Sequence, residues 1–366
     1  MKKTVLSALT AAFVLGFTAP QVSAAPVEED VEPVEVEVED VEVASPVIVT
    51  RTDPQVNEEL RELRARIAEL ERDRDYRENQ DYNKSNHDWL DKFKLTGEMR
   101  YRFWYDKAGN NKGSNNQLQV RFFPTVEIND TFTIKTRLTG TYNHMEHDNG
   151  SSWAMTYAYL QGKFNGFQVN AGKMPLFTDV DRGMIADDFF SGVQFLTNFD
   201  GIDLKVNGGD WKDSDYLGAE ATYGLMDDLT VGAGFHHFQH SGAKSNIFVA
   251  GGEYRLNEDW SINGAYAHNN KGNHKNGYNI EGNYLGAKRS EEGSWGAFAA
   301  YRYVPSRIGI APTYDSFSVS SNKKGFEIGG TYTPIKDSLL KVSYFHGKTF
   351  NHQNARTLFA RASLFF

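Results

Sequence analysis

An all-β transmembrane antiparallel barrel of sixteen strands, preceded by a short N-terminal α-helical coiled-coil stalk, is the fold class that this 366-residue sequence predicts. Three observations carry that reading. Polar and apolar residues alternate with period two almost without interruption from residue 92 to the last residue. Short turns and longer connections succeed one another in a regular rhythm along the same stretch. No segment has the twenty or so consecutive apolar residues of a spanning helix. The mean hydropathy of -0.55 suits a wall whose apolar residues take only alternate positions.

The N-terminal elements differ in composition from the body. Residues 1 to 24 read as a secretory signal peptide: Lys2 and Lys3, an apolar run from Val5 to Phe17, then the small residues Val22, Ser23 and Ala24 before a cut. Residues 25 to 55 form an acidic linker, whose segment Pro26 to Pro46 holds nine acids and no base. Like-charge repulsion and low apolar content keep such a tract extended. The formal net charge of -9 is therefore a property of this linker, and the near-neutral body offers no case for a nucleic-acid partner. Cysteine is absent, so an exported chain of this kind rests on strand pairing without disulfides.

In residues 56 to 79 the period changes. Val56, Leu60, Leu63, Ile67 and Leu70 are spaced 4, 3, 4 and 3, the seam of a coiled coil, with charged residues filling the other positions. Arg66 falls at a position g and Glu71 at the following e, placed for a bridge between chains. The segment from Arg66 to Glu71 resembles a short trimerisation pattern. About two heptads are marginal alone, so a single amphipathic helix is the alternative. A trimeric barrel would hold three such stalks together by raising their local concentration. Residues 80 to 91 connect the stalk to the barrel.

The barrel, residues 92 to 366, is counted by its connections. Lys94, Thr96, Glu98, Arg100 and Arg102 interleave with Phe93, Leu95, Met99, Tyr101 and Phe103, and the pattern repeats in later segments. Short breaks fall at Asn129-Asp130, Asn165-Gly166, Asp200-Gly201, Asp227-Asp228, Asn257 to Asp259, Glu291 to Gly293 and Lys336-Asp337. Eight other connections lie between them, among them Asp106 to Ser114, Pro175 to Phe190 and Pro305 to Lys324. Seven short turns and eight longer loops join sixteen strands and put both barrel ends on the short-turn side. Counts of fourteen and eighteen stay open, because strand 6, around Gly192 to Asn198, is the least sharply bounded. At about sixteen strands, side chains no longer fill the interior and an aqueous channel remains.

The closing segment carries a resemblance. Leu358, Ala360, Ala362, Leu364 and Phe366 fall on one face, with Phe359, Arg361, Ser363 and Phe365 on the other. A chain that stops inside such a strand on a bare aromatic resembles the last strand of bacterial outer-membrane β-barrels. There, residues in the positions of Leu364 and Phe366 are read by the barrel assembly machinery. In strand number, polarity and ending, the chain is similar to the general diffusion porins, homotrimers in outer-membrane lipid that pass small hydrophilic solutes and ions. In that family the loop after strand 5 folds into the lumen. The resemblance assigns that role to Pro175 to Phe190, with Asp179, Asp181, Arg182, Asp187 and Asp188. The loop follows Ala171-Gly172-Lys173, which matches the family's habit at the end of strand 5. Arg100, Arg102, Arg121, Lys135, Arg137 and Lys173 are expected as the facing lumenal bases, giving a transverse field that orients dipolar solutes.

The linker and stalk depart from that pattern and are similar to porins of deep-branching diderm bacteria, whose stalk and terminal module bind the cell wall. No such module is legible in residues 25 to 55. Contact with the cell wall through a periplasmic stalk, in a mainly structural tethering barrel, is therefore one alternative. A sugar-selective channel is another, with Trp104, Phe123, Tyr157 and Tyr159 as an inward aromatic line. Catalysis by His236, His237, His240 and Ser241 lacks a partner set. Those histidines, or His144 and His147, do not make a convincing metal site. No cofactor is expected.

Overall fold

The computed structural model describes Arg66 and residues 91–143, 151–212, 214–240, 243–317 and 322–366. Arg66 is helical and exposed. The signal, the linker and the remaining stalk positions, with Leu60, Leu63, Ile67, Leu70 and Glu71, lie outside the described residues. Among the described residues no helix is long and apolar enough to cross a membrane.

Sixteen strands follow one another. In chain order they are β1 (Phe93–Ala108), β2 (Asn111–Glu127), β3 (Phe132–Asn143), β4 (Ser151–Phe164), β5 (Phe167–Phe177) and β6 (Asp187–Phe199). Next come β7 (Ile202–Trp211), β8 (Ser214–Met226), β9 (Leu229–His240), β10 (Ala243–Arg255) and β11 (Trp260–Asn269). The last are β12 (Asn276–Leu285), β13 (Trp295–Val304), β14 (Lys323–Tyr332), β15 (Ser338–Thr349) and β16 (Asn354–Phe365). Each pairs antiparallel with its neighbours in sequence, and β16 pairs with β1, so the sheet closes without an edge. The count of sixteen agrees with the turn rhythm. The poorly bounded segment around Gly192 to Asn198 is a full strand, β6.

One expected loop is absent. Residues Asp106 to Ser114 continue β1 and β2 up to a two-residue turn at Gly109-Asn110, where Gly109 takes φ +62°. Polar residues in 106 to 114 obscured the alternation there. Pairing across the ladder, not side-chain polarity, keeps the strands going.

The two faces invert the usual distribution. Leu95, Met99, Tyr101 and Tyr105 stand exposed on the outside of β1, and Phe248, Ile280, Phe326 and Val342 do so elsewhere on the ring. Glu98, Gln119, Gln161, Asn170, Asn207, Asn263 and Asn279 are buried on the inside. Trp260, Tyr284 and Trp295 pack in a row along the short-turn rim, tilted and then edge-on, with ring centroids 4.7 and 5.4 Å apart. Amphipathic rings at that level suit a bilayer interface. Apolar out and polar in is the arrangement for a wall facing hydrocarbon.

The seam between β1 and β16 runs for eleven residue pairs and then extends one residue further. Gly97 N–H donates to the Phe366 carbonyl at 2.6 Å, and Phe366 N–H returns to Gly97 O at 3.1 Å. The Phe366 ring lies over Gly97 and meets Phe122 edge-on at 6.0 Å. A Cβ at Gly97 would run into that ring. The exposed ring must swing aside to admit a side chain, so Gly97→Val should weaken the seam by about 1 kcal/mol, the low end of the overpacking penalty. The check is the temperature at which the folded barrel loses its compact mobility in detergent gels, which should fall.

Candidate functional site

The connection from β5 to β6 is not an outer loop. Its residues 178–186 turn inward, and Thr178, Val180, Asp181, Met184, Ile185 and Ala186 are all buried. A local knot holds the turn. The Thr178 hydroxyl donates to Asp181 Oδ1 at 2.6 Å, and the Met184 and Ile185 amides donate to the same oxygen at 2.9 and 3.4 Å. The Ala186 amide donates to Thr178 Oγ1 at 3.1 Å. Arg182 and Gly183 take φ +53° and +78° to reverse the chain. The sequence Thr-x-x-Asp thus works as it does at a helix start, an oxygen accepting orphan amides.

The knot is fastened to the inner wall. The Val180 amide donates to Glu220 Oε1 on β8 at 3.2 Å. Lys205 on β7 donates to the Phe177 carbonyl at 2.6 Å, pairs with Glu220 at 2.8 Å and also meets Asp179. Arg182 pairs with Glu253 on β10 at 2.5 Å. Gly251 on β10 leaves the room through which the Val180 carbonyl passes; a Cβ there would collide with it.

A second loop, from β13 to β14, also folds inward. The Ile310 and Ala311 amides both donate to the Ile185 carbonyl at 3.0 Å. The Asp187 amide donates to Ala311 O at 2.7 Å and the Thr313 amide to Gly183 O at 2.9 Å. Beyond it, a 3₁₀ turn (Asp315–Phe317) reaches β15, with Phe317 edge-on to Phe345 at 5.2 Å. Lys323 donates to Asp106 at 2.8 Å and to the Ser316 carbonyl at 3.2 Å, fixing the loop's far end. Between loops and wall lies an apolar cluster containing Met184, Ile185, Phe190, Trp211, Val249 and Ile308. The interior therefore has a dry part, which an entirely wetted bore did not anticipate. Pro305 to Lys324 had carried no signal of an inward course.

Charges segregate around the ring. Arg100, Arg102, Arg121, Lys135 and Arg137 all fall on the inward parity of β1 to β3, with Glu98 among them. Arg361 on β16 and Lys341 on β15 extend this arc, and both were missed in the sequence. Their lumen parity is legible from Phe359, Ser343 and Ser363, which share it. The acids Glu220, Glu253, Glu281 and Glu327 sit on β8, β10, β12 and β14. Arg302 on β13 joins the last two, at 2.7 and 2.5 Å, beneath the Tyr314 ring.

The expected loop acids are placed differently from one another. Asp179 is half exposed. Asp181 is wholly buried: its Oδ1 accepts the bonds of the turn, while Oδ2 has no partner among the described residues. Asp187 accepts from Thr313 at 2.7 Å. Asp188 accepts from Trp211 Nε1 at 3.2 Å and pairs with Lys212 at 2.7 Å. Lys173 does not face inward: it lies opposite Ala158 and alternates with the buried Met174, on the outer parity. Trp104, Phe123, Tyr157 and Tyr159 are inward, and Tyr157 packs against Phe189 and Arg137. His236 is buried against Tyr216 while His237 bonds Asn246 on the opposite face, so the pair cannot share one ligand. Among the described residues no cluster could hold a metal ion.

Solved structures share this architecture. A triple mutant of the Rhodopseudomonas blastica porin is 13% identical with a TM-score of 0.53, and a double mutant of the same porin is 13% identical with a TM-score of 0.52. Each match covers 75% of this chain and 100% of the other. No family model and no curated protein matches the chain. At that identity the likeness establishes the porin fold and nothing finer.

Asp181 gives the infolded loop a pH dependence. Burial pushes its carboxyl up from 3.8 to about 7, aided by nearby Glu220 and opposed by the Thr178 hydroxyl and two amides. A released loop would return it to the ordinary value. The docked state is therefore favoured fully below about pH 4, loses its advantage between about pH 4 and 7, and is weakest above. Hydrogen exchange at the 178–186 amides should accelerate across that window, and Asp181→Asn should flatten the profile.

Proposed function

We propose that the chain is an outer-membrane porin: a water-filled channel for passive diffusion of small hydrophilic solutes and ions. The reading rests on one observation, a closed ring of sixteen strands, polar within and apolar without, with the β5–β6 loop fastened to its inner wall. A barrel of that strand number is too wide for its own side chains to fill. The loop residues around Asp179 and Arg182 form the constriction together with the second inward loop. Across from them stand the bases of β1 to β3. Solutes in the gap cross a transverse field that aligns water and penalises apolar surface.

Other parts of the proposal follow from the resemblance in the closing strand and the stalk. The barrel sits in outer-membrane lipid as a homotrimer, with Leu364 and Phe366 read by the assembly machinery. Residues 56 to 79 project into the periplasm as a trimeric stalk and offer contact with the cell wall. Lys173, outward on β5 near the loop's root, is free of the lumen and available to a neighbouring protomer or a lipid headgroup.

Purified protein in a planar bilayer should give large ohmic current steps arriving in threes. Saturable block by a single sugar would instead assign a selective channel along Tyr157 and Tyr159, and a silent bilayer a structural barrel. Asp179→Asn should move the reversal potential in a salt gradient away from cations. An unmoved potential removes Asp179 from the conducting path.

A further inference from the structure

The basic arc of the inner wall is organised more tightly than a diffuse field requires. Lys341 on β15, Arg361 on β16 and Arg102 on β1 are directly opposite one another, residue by residue, on three adjacent strands. Neighbouring strands are only about 4.8 Å apart. Like charges in register across strands are destabilising. The next inward position of β1 is Arg100, and Arg121 stands opposite Glu98 one step further. Arg137 completes the arc on β3, held over the rings of Phe189 and Tyr157.

Among the described residues six cations thus face three carboxylates: Glu98 and Asp315 are each shared by two of them, and Asp187 lies near enough for its charge to act on Arg137. Glu98 takes Arg100 at 2.5 Å and Arg121 at 3.6 Å. Asp315, delivered by the inward loop after β13, takes Lys341 at 2.6 Å and Arg361 at 3.9 Å. Among the described residues Arg102 donates to the neutral amide oxygen of Gln117 and lies by Trp104. Buried Nε–H donors of Arg102, Arg121, Arg137 and Arg361 have no acceptor among the described residues. Among the described residues the row therefore holds more cations than carboxylates, and the loop contributes one of those carboxylates, Asp315, on a tether.

We infer that the row Lys341–Arg361–Arg102, with Arg100, Arg121 and Arg137 below it, is a binding path for small oxyanions, so that the channel prefers anions and holds them in transit. Planar guanidinium forks match the oxygen pairs of carboxylate and phosphate. Asp315 occupies one end of the path as a built-in carboxylate and competes with the solute. This inference rests on the reading of the chain as an open channel and names the solute class that the same wall favours.

Bilayer electrophysiology with inorganic phosphate as the probe tests it. In a potassium chloride gradient the reversal potential should have the sign of chloride. Added phosphate should reduce the chloride current along a saturating curve. Arg102→Gln and Arg361→Gln should each raise the half-blocking concentration by about tenfold, in line with the loss of one charge-assisted contact. Asp315→Asn should lower it several-fold, since two cations lose their internal partner. A conducting channel with cation preference, or phosphate acting without saturation, overturns the inference while leaving the pore intact. Half-blocking concentrations unchanged in both arginine variants overturn it as well. A bilayer that stays silent overturns the pore reading and takes this inference with it. Any variant that conducts has folded, so the comparison is made on conducting channels only.

Discussion

A backbone amide in hydrocarbon has no water to bond, so every strand of a lipid-facing sheet must be paired on both sides. In this chain every strand is paired on both sides, and the ring is completed where β16 returns to β1. The last bonds of the ring are made by Phe366 itself, whose amide and carbonyl both meet Gly97. Closure of this ring explains why the apolar residues point out and the polar ones in. It also explains why no disulfide is needed: the ladder between neighbouring strands carries the fold.

Sixteen strands create a second constraint. The ring is wide, and chain that enters it must satisfy its own amides without a sheet to join. The β5–β6 loop does so with Thr178 and Asp181, which accept from Ala186, Met184 and Ile185. The β13–β14 loop solves the same problem by borrowing carbonyls from the first, at Ile185 and Gly183. The two segments are therefore one inner layer: each supplies acceptors that the other needs, and their apolar residues share a cluster with Trp211, Val249 and Phe345. A loop held this way is positioned by the wall, through Glu220, Lys205 and Glu253, and not by its own stiffness.

Strand number, face and closure were legible because they depend on residue order alone. Alternation assigns Leu95 and Glu98 to opposite faces whatever the surroundings, and a turn such as Asn165-Gly166 breaks the pattern wherever it sits. The same rule puts Arg100, Arg102, Arg121 and Arg137 on the parity that the strands turn inward. Lys173 was misplaced because proximity to the loop was given more weight than parity, and its neighbours Met174 and Leu176 hold the inner face. The burial of Asp181 could not be read in the same way. Its acidity suggested a wetted position, whereas its spacing from Thr178 encodes a turn, and nothing local chooses between the two. The inward course of Pro305 to Phe317 depends on partners more than a hundred residues away, such as Ile185, and has no periodic signal.

The distribution of charge follows from how these loops dock. Docking on β7 to β10 uses acids of the wall: Glu220 takes Val180 and Lys205, and Glu253 takes Arg182. Further round, Glu281 and Glu327 are joined by Arg302. The carboxylates of that half are thus committed to holding the inner layer and one another. Among the described residues, the half formed by β15, β16 and β1 to β3 receives Asp315 and the nearby charge of Asp187 from the loops, so its bases outnumber their carboxylates. The same contacts that bring the loops into the bore therefore leave the opposite wall positive. Structure and field are two consequences of one docking geometry, and a change that frees the loop from Glu220 or Glu253 returns negative charge to the interior.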